Sequence, residues 1–437
     1  MGSKAQALLE GLTRWWGSKR LATTADFESM AMVLLSGKGE ASGVALASRL
    51  LAAYDGLPRA EQRRFFGLLA TRFGPNLESV RQAAADFLQE PDSTSAAHLH
   101  DVAEPRRQEL IRRMNLAPGG TPQLVRMRED LLTAMREDPS LALVDADFRH
   151  LFASWFNRGF LALQRIDWST PAHILEKIIR YEAVHAISSW DDLRLRLEPP
   201  DRRCFAFFHP ALSGEPLIFV EVALTQEVPS SIAPLLGSAR VPMAPDRATT
   251  AVFYSISNCQ RGLRGISFGN FLIKQVAEDL KRELPSLNTF VTLSPLPGFC
   301  RWLASVGTEI DGATETALRS AVAHIERPEW HRAPPRSLRE TLSRAAVRYL
   351  FDAKDPSGKP LDSVARFHLG NGARLERLNW MGDVSEKGLA EGAGFMVNYL
   401  YDLGAVEDNH EAFANHGEIV ASAEVQRLRR TLEPKAD

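Results

Sequence analysis

Apolar residues recur three and four positions apart through the first third of the chain, over 27–35, 44–54, 65–73, 80–88, 110–114 and 124–135, and again from Asp145 to about Leu163. That period predicts a succession of amphipathic helices. Gly74-Pro75, Pro91-Asp92 and Pro118-Gly119-Gly120 punctuate it as turns. Ser169-Thr170-Pro171 predicts one more helix start, since a hydroxyl caps free backbone N–H groups and proline is tolerated in a first turn. The helix it opens runs over about 173–183.

Beyond that point the pattern changes. The runs 204–209, 216–225 and 249–257 are short and rich in β-branched and aromatic residues, and predict strands. A helix is predicted over about 269–284, a fourth strand over 289–294 ended by Pro295-Leu296-Pro297-Gly298, and more helix over about 304–351. Residues 365–369 and 374–380 read as a hairpin with Asn371-Gly372 at its turn, followed by a helix near 394–403. The expectation is an α+β protein: an all-helical domain over 1–180, serving self-association, then a mixed α/β catalytic domain over 181–437, with the border between about 165 and 195.

Charge narrows the function. Lys and Arg number 52 against 54 Asp and Glu, for a formal charge of -2, which argues against a dedicated nucleic-acid binder. The three cysteines, Cys204, Cys259 and Cys300, are too far apart for a zinc motif and odd in number, which fits no closed disulfide framework, and point to a reducing compartment. No apolar run reaches the roughly 18–20 residues that span a bilayer. The first twenty residues carry Lys4, Arg14, Lys19 and Arg20 but also Glu10, and have no long apolar core. Gln6 breaks the myristoylation pattern after Gly2, and the chain ends Glu-Pro-Lys-Ala-Asp rather than Ser-Lys-Leu. A cytoplasmic protein with no membrane partner is expected.

Three stretches carry candidate chemistry. Over 253–274 a strand leads through a loop with Gly262, Gly265 and Gly269 into a helix, with Arg261 and Arg264 alongside. Glycines let the backbone approach phosphates, and the helix start offers free N–H groups. The spacing is neither that of a Walker A loop nor of a dinucleotide fingerprint; it looks like the diphosphate loop of acetyltransferase-type folds, while a plain strand-to-helix turn also fits. In Thr292-Leu293-Ser294-Pro295, Ser294 ends a strand before a rigid turn, placed either to enter a site or simply to initiate the turn. In Phe367-His368-Leu369-Gly370, His368 is a candidate proton donor or a surface or core histidine without a role. Tyr401 offers a hydroxyl or a core ring. No metal-ligand spacing and no GxSxG elbow is present.

Together the stretches at 181–187, 214–225, 253–257, 269–274, 293–299, 367–373 and 379–385 resemble the malonyl-CoA decarboxylase family. The resemblance covers about 165–405 in sequence and the N-terminal helices in architecture. It implies a helical domain followed by a GCN5-acetyltransferase-like catalytic domain, and a homo-oligomer, dimer or tetramer. It places the catalytic serine and histidine on Ser294 and His368, an active-site tyrosine on Tyr401, and the CoA-contacting loop on Arg264, Gly265, Ile266, Ser267, Phe268, Gly269 and Asn270. Malonyl-CoA would be substrate and acetyl-CoA product. No metal or other cofactor is required, because the thioester carbonyl is itself the electron sink. Whether Ser294 or His368 gives the proton, and whether a malonyl-enzyme forms, stay open. A CoA-dependent N-acyltransferase and a non-catalytic malonyl-CoA-binding scaffold are the alternatives.

Overall fold

The structure is a computed structural model that describes residues 24–37, 39–266, 268, 272–306 and 313–430. The chain forms two compact units. The first comprises the described residues to Leu161 together with His209–Ser213 and the described part of Gln260–Phe268; the second comprises Ala162–Phe208, Gly214–Cys259 and the described residues from Leu272 onward. The helix Ala172–Tyr181, expected in the first domain, therefore folds with the second.

The first unit is built from the helices Thr24–Ser36, Glu40–Asp55, Arg59–Arg72, Leu77–Gln89, Ser93–Ala103, Arg106–Asn115, Gly120–Ala134 and Ala142–Trp155. Their apolar stripes meet in an aromatic core where Phe27 and Tyr54 pack edge-on to Phe65 at 4.3 and 5.1 Å. Two buried ion pairs brace it, Arg107 with Asp147 and Arg128 with Asp145. The second matters for function. Arg128 donates Nε to Asp145 at 2.8 Å and Nη1 to the carbonyls of Gly262 and Arg264 at 2.7 and 2.9 Å, so the loop 260–268 is held by its backbone. Gly262 is obligatory there, because a Cβ would lie 1.8 Å from the carbonyl oxygen of Val125.

The second unit is a mixed sheet flanked by helices. Its strands are β1 Ala162–Ile166, β2 Arg202–Phe208, β3 Pro216–Thr225, β4 Thr250–Asn258, β5 Thr289–Thr292, β6 Ser294–Pro295, β7 Arg374–Asn379 and β8 Met396–Leu400. They lie in the order β1-β2-β3-β4-β5-β8-β6, with β7 also on β8. All pairings among these strands are antiparallel except β4 with β5, which the helix Leu272–Glu283 connects. A lone parallel pair with a helical crossover inside an antiparallel sheet gives the mixed α/β second domain expected. Ile174, Leu175, Ile178, Leu193 and Leu197, from the helices Ala172–Tyr181 and Trp190–Leu197, bury one sheet face against Cys204, Ala206, Phe208 and Phe219.

Two features open the sheet where the site lies. Glu221 pairs with Ser255 but Val222 with Phe253, so Tyr254 is an extra residue in β4, a bulge. The β4–β5 ladder ends at Phe253 opposite Thr292, and Ser294 has moved across to pair with Val397 of β8.

Two expectations are corrected. Residues 365–369 are not a strand; they lie in the helix Ser363–Gly370, whose N-cap Asp362 accepts from the Ala365 N–H at 2.8 Å. Its buried residues Ala365, His368 and Leu369 follow helical spacing, which five residues are too few to separate from alternation. The segment 394–403 is not helical; it contains β8, whose residues Met396 to Tyr399 are buried on both faces and so show no alternation.

Candidate active site

Ser294, His368 and Tyr401 come together although they lie on three different elements. Ser294 opens β6, His368 sits near the C-terminus of the helix Ser363–Gly370, and Tyr401 follows β8. The Ser294 Oγ lies 3.0 Å from His368 Nε2, and His368 Nδ1 lies 2.8 Å from the Tyr401 hydroxyl. Ser294 Oγ also donates to Thr292 Oγ1 at 2.9 Å, and Thr292 Oγ1 accepts from the Tyr399 N–H at 3.1 Å. The imidazole is stacked on Tyr399, with centroids 4.6 Å apart and planes at 23°.

Burial sets the protonation states. His368 is 2% exposed, and desolvation lowers its pKa to about 3, so the ring is neutral at neutral pH. Desolvation raises Tyr401 well above the usual phenol value, and it keeps its proton.

A polar scaffold fixes the strand ends. Asn398 donates to the Thr292 carbonyl at 2.7 Å, and its own oxygen accepts from Asn379 at 2.8 Å and Arg377 at 3.1 Å. Under the turn, Tyr349 donates to the Pro297 carbonyl at 3.1 Å and to Asp362 at 3.3 Å. One hydroxyl thus ties the serine's turn to the cap of the histidine's helix.

A pocket of about 200 Å³ adjoins the pair, lined by Ser294, His368, Phe253, Ile256, Val364 and Phe367 among others. It fits a short acyl group, being mostly apolar with the two polar groups converging on it. Val184 lines it as well, from a segment without regular structure. Side chains satisfy that backbone. Glu182 accepts from the N–H groups of Val184 and His185 at 2.7 and 2.8 Å, and Lys387 donates to the Ala183 carbonyl at 2.6 Å. Arg196 donates to the His185 carbonyl at 2.9 Å, and Ser255 in turn holds Glu182 at 2.7 Å.

The expected CoA loop is described only in part. Ser267, Gly269 and Asn270 lie outside the described residues. Arg264 is exposed, Gly265 has φ 77°, and Ile266 and Phe268 are buried. These four fold with the first unit. Among the described residues no group of three or more His, Cys, Asp or Glu is placed to hold a metal, and no helix is long and apolar enough to cross a membrane. Thr292, Tyr399, Asn398 and Glu182 are the site residues that reading the sequence misses. Thr292, two residues before Ser294 in the strand predicted over 289–294 and hence on the same face of it, is the one that spacing alone gives reason to consider.

Known proteins resemble this chain along most of its length. The family described as "Malonyl-CoA decarboxylase C-terminal domain" matches residues 159–437, and "Malonyl-CoA decarboxylase N-terminal domain" matches 73–156. The chain is 35% identical over 408 residues to the mitochondrial malonyl-CoA decarboxylase of Anser anser anser, covering 85% of this chain and 81% of that one. To the mouse protein of the same name it is 34% identical over 411 residues, covering 86% and 83%. Among solved structures it resembles malonyl-CoA decarboxylase from Rhodopseudomonas palustris with a TM-score of 0.89 and 54% identity, covering 93% of this chain and 99% of that one. The Agrobacterium vitis protein gives 0.86 and 52%, covering 92% and 99%.

Proposed function

The chain belongs to the malonyl-CoA decarboxylase family, and on that footing we propose that it converts malonyl-CoA to acetyl-CoA and CO2 with Ser294, His368 and Tyr401 as its catalytic residues. The observation that carries the assignment is the 3.0 Å contact between Ser294 Oγ and His368 Nε2 at the edge of a small, mostly apolar pocket.

The chemistry asks little of a protein beyond placement. The bond between carbon 2 and the carboxylate breaks, CO2 leaves, and the electron pair enters the thioester as an enolate. Carbon 2 then takes a proton from the Ser294–His368 pair, which solvent restores, so that one proton is consumed for each CO2 released. An apolar pocket favours loss of the carboxylate charge, and oriented donors stabilise the enolate oxygen, typically by a few kcal/mol each. The thioester is the electron sink, so the reaction as proposed uses no metal or organic cofactor.

Residues Arg264 to Asn270 contact the CoA portion in this reading, supported by a loop whose carbonyls are pinned by Arg128. A cytoplasmic location and self-association through the helical region belong to the same proposal. The second is supported by Leu77 and Leu88, which remain 71% and 80% exposed on one helix.

The test follows acetyl-CoA, by coupled citrate synthase, from the purified, metal-stripped protein supplied with malonyl-CoA, beside Ser294→Ala and His368→Ala. Turnover by the wild type, with both variants losing at least about 10²-fold while still binding CoA, supports the reaction and the pair. A wild type that releases no acetyl-CoA overturns both.

A further inference from the structure

The four-group chain Tyr401, His368, Ser294 and Thr292 has a direction, and the groups at its ends set it. A neutral imidazole has one N–H, so one ring nitrogen donates and the other accepts. By itself this leaves two arrangements: the ring proton on Nδ1 facing Tyr401, or on Nε2 facing Ser294.

Thr292 breaks the tie. Its side chain is fully buried, and its Oγ1 accepts from the Tyr399 N–H at 3.1 Å, which commits one of that oxygen's two lone pairs to the backbone. The Ser294 hydroxyl donates to that same oxygen at 2.9 Å. With its proton directed to Thr292, Ser294 Oγ presents lone pairs to His368 Nε2 at 3.0 Å and accepts there. The other end agrees. Among the described residues the buried Tyr401 hydroxyl has His368 Nδ1 as its hydrogen-bond partner, at 2.8 Å, and donating there avoids a buried O–H with no acceptor.

We propose that Thr292 is a positioning residue for the catalytic pair: by accepting the Ser294 hydroxyl proton it orients the whole chain and holds His368 as the Nε2–H tautomer. A serine nucleophile needs the opposite polarity, its proton directed at a bare imidazole nitrogen. Thr292 therefore holds Ser294 away from covalent catalysis and turns the ring proton toward the pocket side of the histidine. The kinetic part of this rests on the decarboxylase reading; the tautomer does not.

The test is nitrogen-15 NMR of the full-length protein with labelled histidine at neutral pH, His368 being assigned among the 11 histidines by the signals lost in His368→Asn. The expected spectrum shows His368 with Nε2 protonated and Nδ1 bare. Thr292→Val, isosteric but without the hydroxyl, shifts the ring toward the Nδ1–H form and lowers kcat about 10- to 100-fold with KM within about twofold, while Thr292→Ser restores both. A wild type already in the Nδ1–H form, or a Thr292→Val variant with an unshifted tautomer, overturns the proposal. A wild type with no malonyl-CoA turnover sinks the decarboxylase reading and leaves the tautomer result to stand on its own.

Discussion

The His368 imidazole lies flat against Tyr399, 4.6 Å between centroids and 23° between planes, and this stack closes one face of the ring to water. Burial rather than a neighbouring charge accounts for its lowered pKa of about 3. The rate of turnover is accordingly expected to show no inflection near 6.5, the ordinary histidine value, and the His368 ring signals to hold still between about pH 5 and 8. The sign for stability follows. Between about pH 3 and 6.5 the unfolded chain binds the proton that folded His368 refuses, so this contribution is complete above about 6.5 and is lost as pH falls toward 3. A thermal melt of His368→Phe should lose less stability on acidification than the wild type. An equal loss in both would contradict the depressed pKa.

Tyr401→Phe removes the only hydrogen-bonding atom of that side chain while keeping the ring that packs edge-on to Phe253 at 6.2 Å. Nδ1 of His368 then lacks its donor at 2.8 Å. We expect kcat to fall roughly tenfold with KM preserved and the melting temperature lowered by only a few degrees. Steady-state kinetics decides it, and an unchanged kcat would remove Tyr401 from the catalytic set.

Asp362 caps the helix that carries His368, and burial lifts its pKa to about 6. Above that value the folded protein holds a buried carboxylate; between about pH 3.8 and 6 the folded state binds the proton more tightly than the unfolded one, so this contribution declines as pH rises through that window. Asparagine caps a helix about as well as aspartate and carries no charge. Relative to the wild type, Asp362→Asn should therefore be more stable at pH 8 than at pH 4. Asp362→Ala, which also loses the cap, should lie about 1 kcal/mol below Asp362→Asn at both pH values and lose some activity. Melting curves at the two pH values distinguish these outcomes.

Gly262→Ala places a Cβ where the Val125 carbonyl oxygen now lies 1.8 Å away, so the loop 260–268 must shift. If that loop contacts CoA, KM for malonyl-CoA should rise about tenfold or more, while Ser294 and His368 keep kcat within a few-fold. Calorimetry with CoA alone should show the same loss. A large fall in kcat at unchanged KM would separate the loop from substrate binding.

Much of the fold is legible in the chain, and the misreadings have definite causes. The helical period of 27–35 or 124–135 and the β-branched run 216–225 survive because one face or both are buried along their whole length. The helix Ser363–Gly370 misleads because its eight residues are governed by Asp362, a cap lying outside the apolar window. β8 misleads because a strand covered on both sides looks like an interior helix. At the site, Ser294 and His368 stand out through the family resemblance of 293–299 and 367–373, since each alone also fits a plain turn serine and a surface or core histidine. Thr292 and Tyr399 do not, because their part depends on two chain segments more than a hundred positions apart meeting at a 3.1 Å contact.

The loop 260–268 has a consequence for how such proteins can be cut and recombined. It lies within the sequence matched to the C-terminal family domain, yet its carbonyls are gripped by Arg128 and its backbone presses on Val125, both matched to the N-terminal one. A chimera spliced near residue 157 would present this loop to a foreign arginine and a foreign helix. Val125, Arg128 and Gly262 must therefore be inherited as a set, and the two halves are not exchangeable parts even though each has a family description of its own.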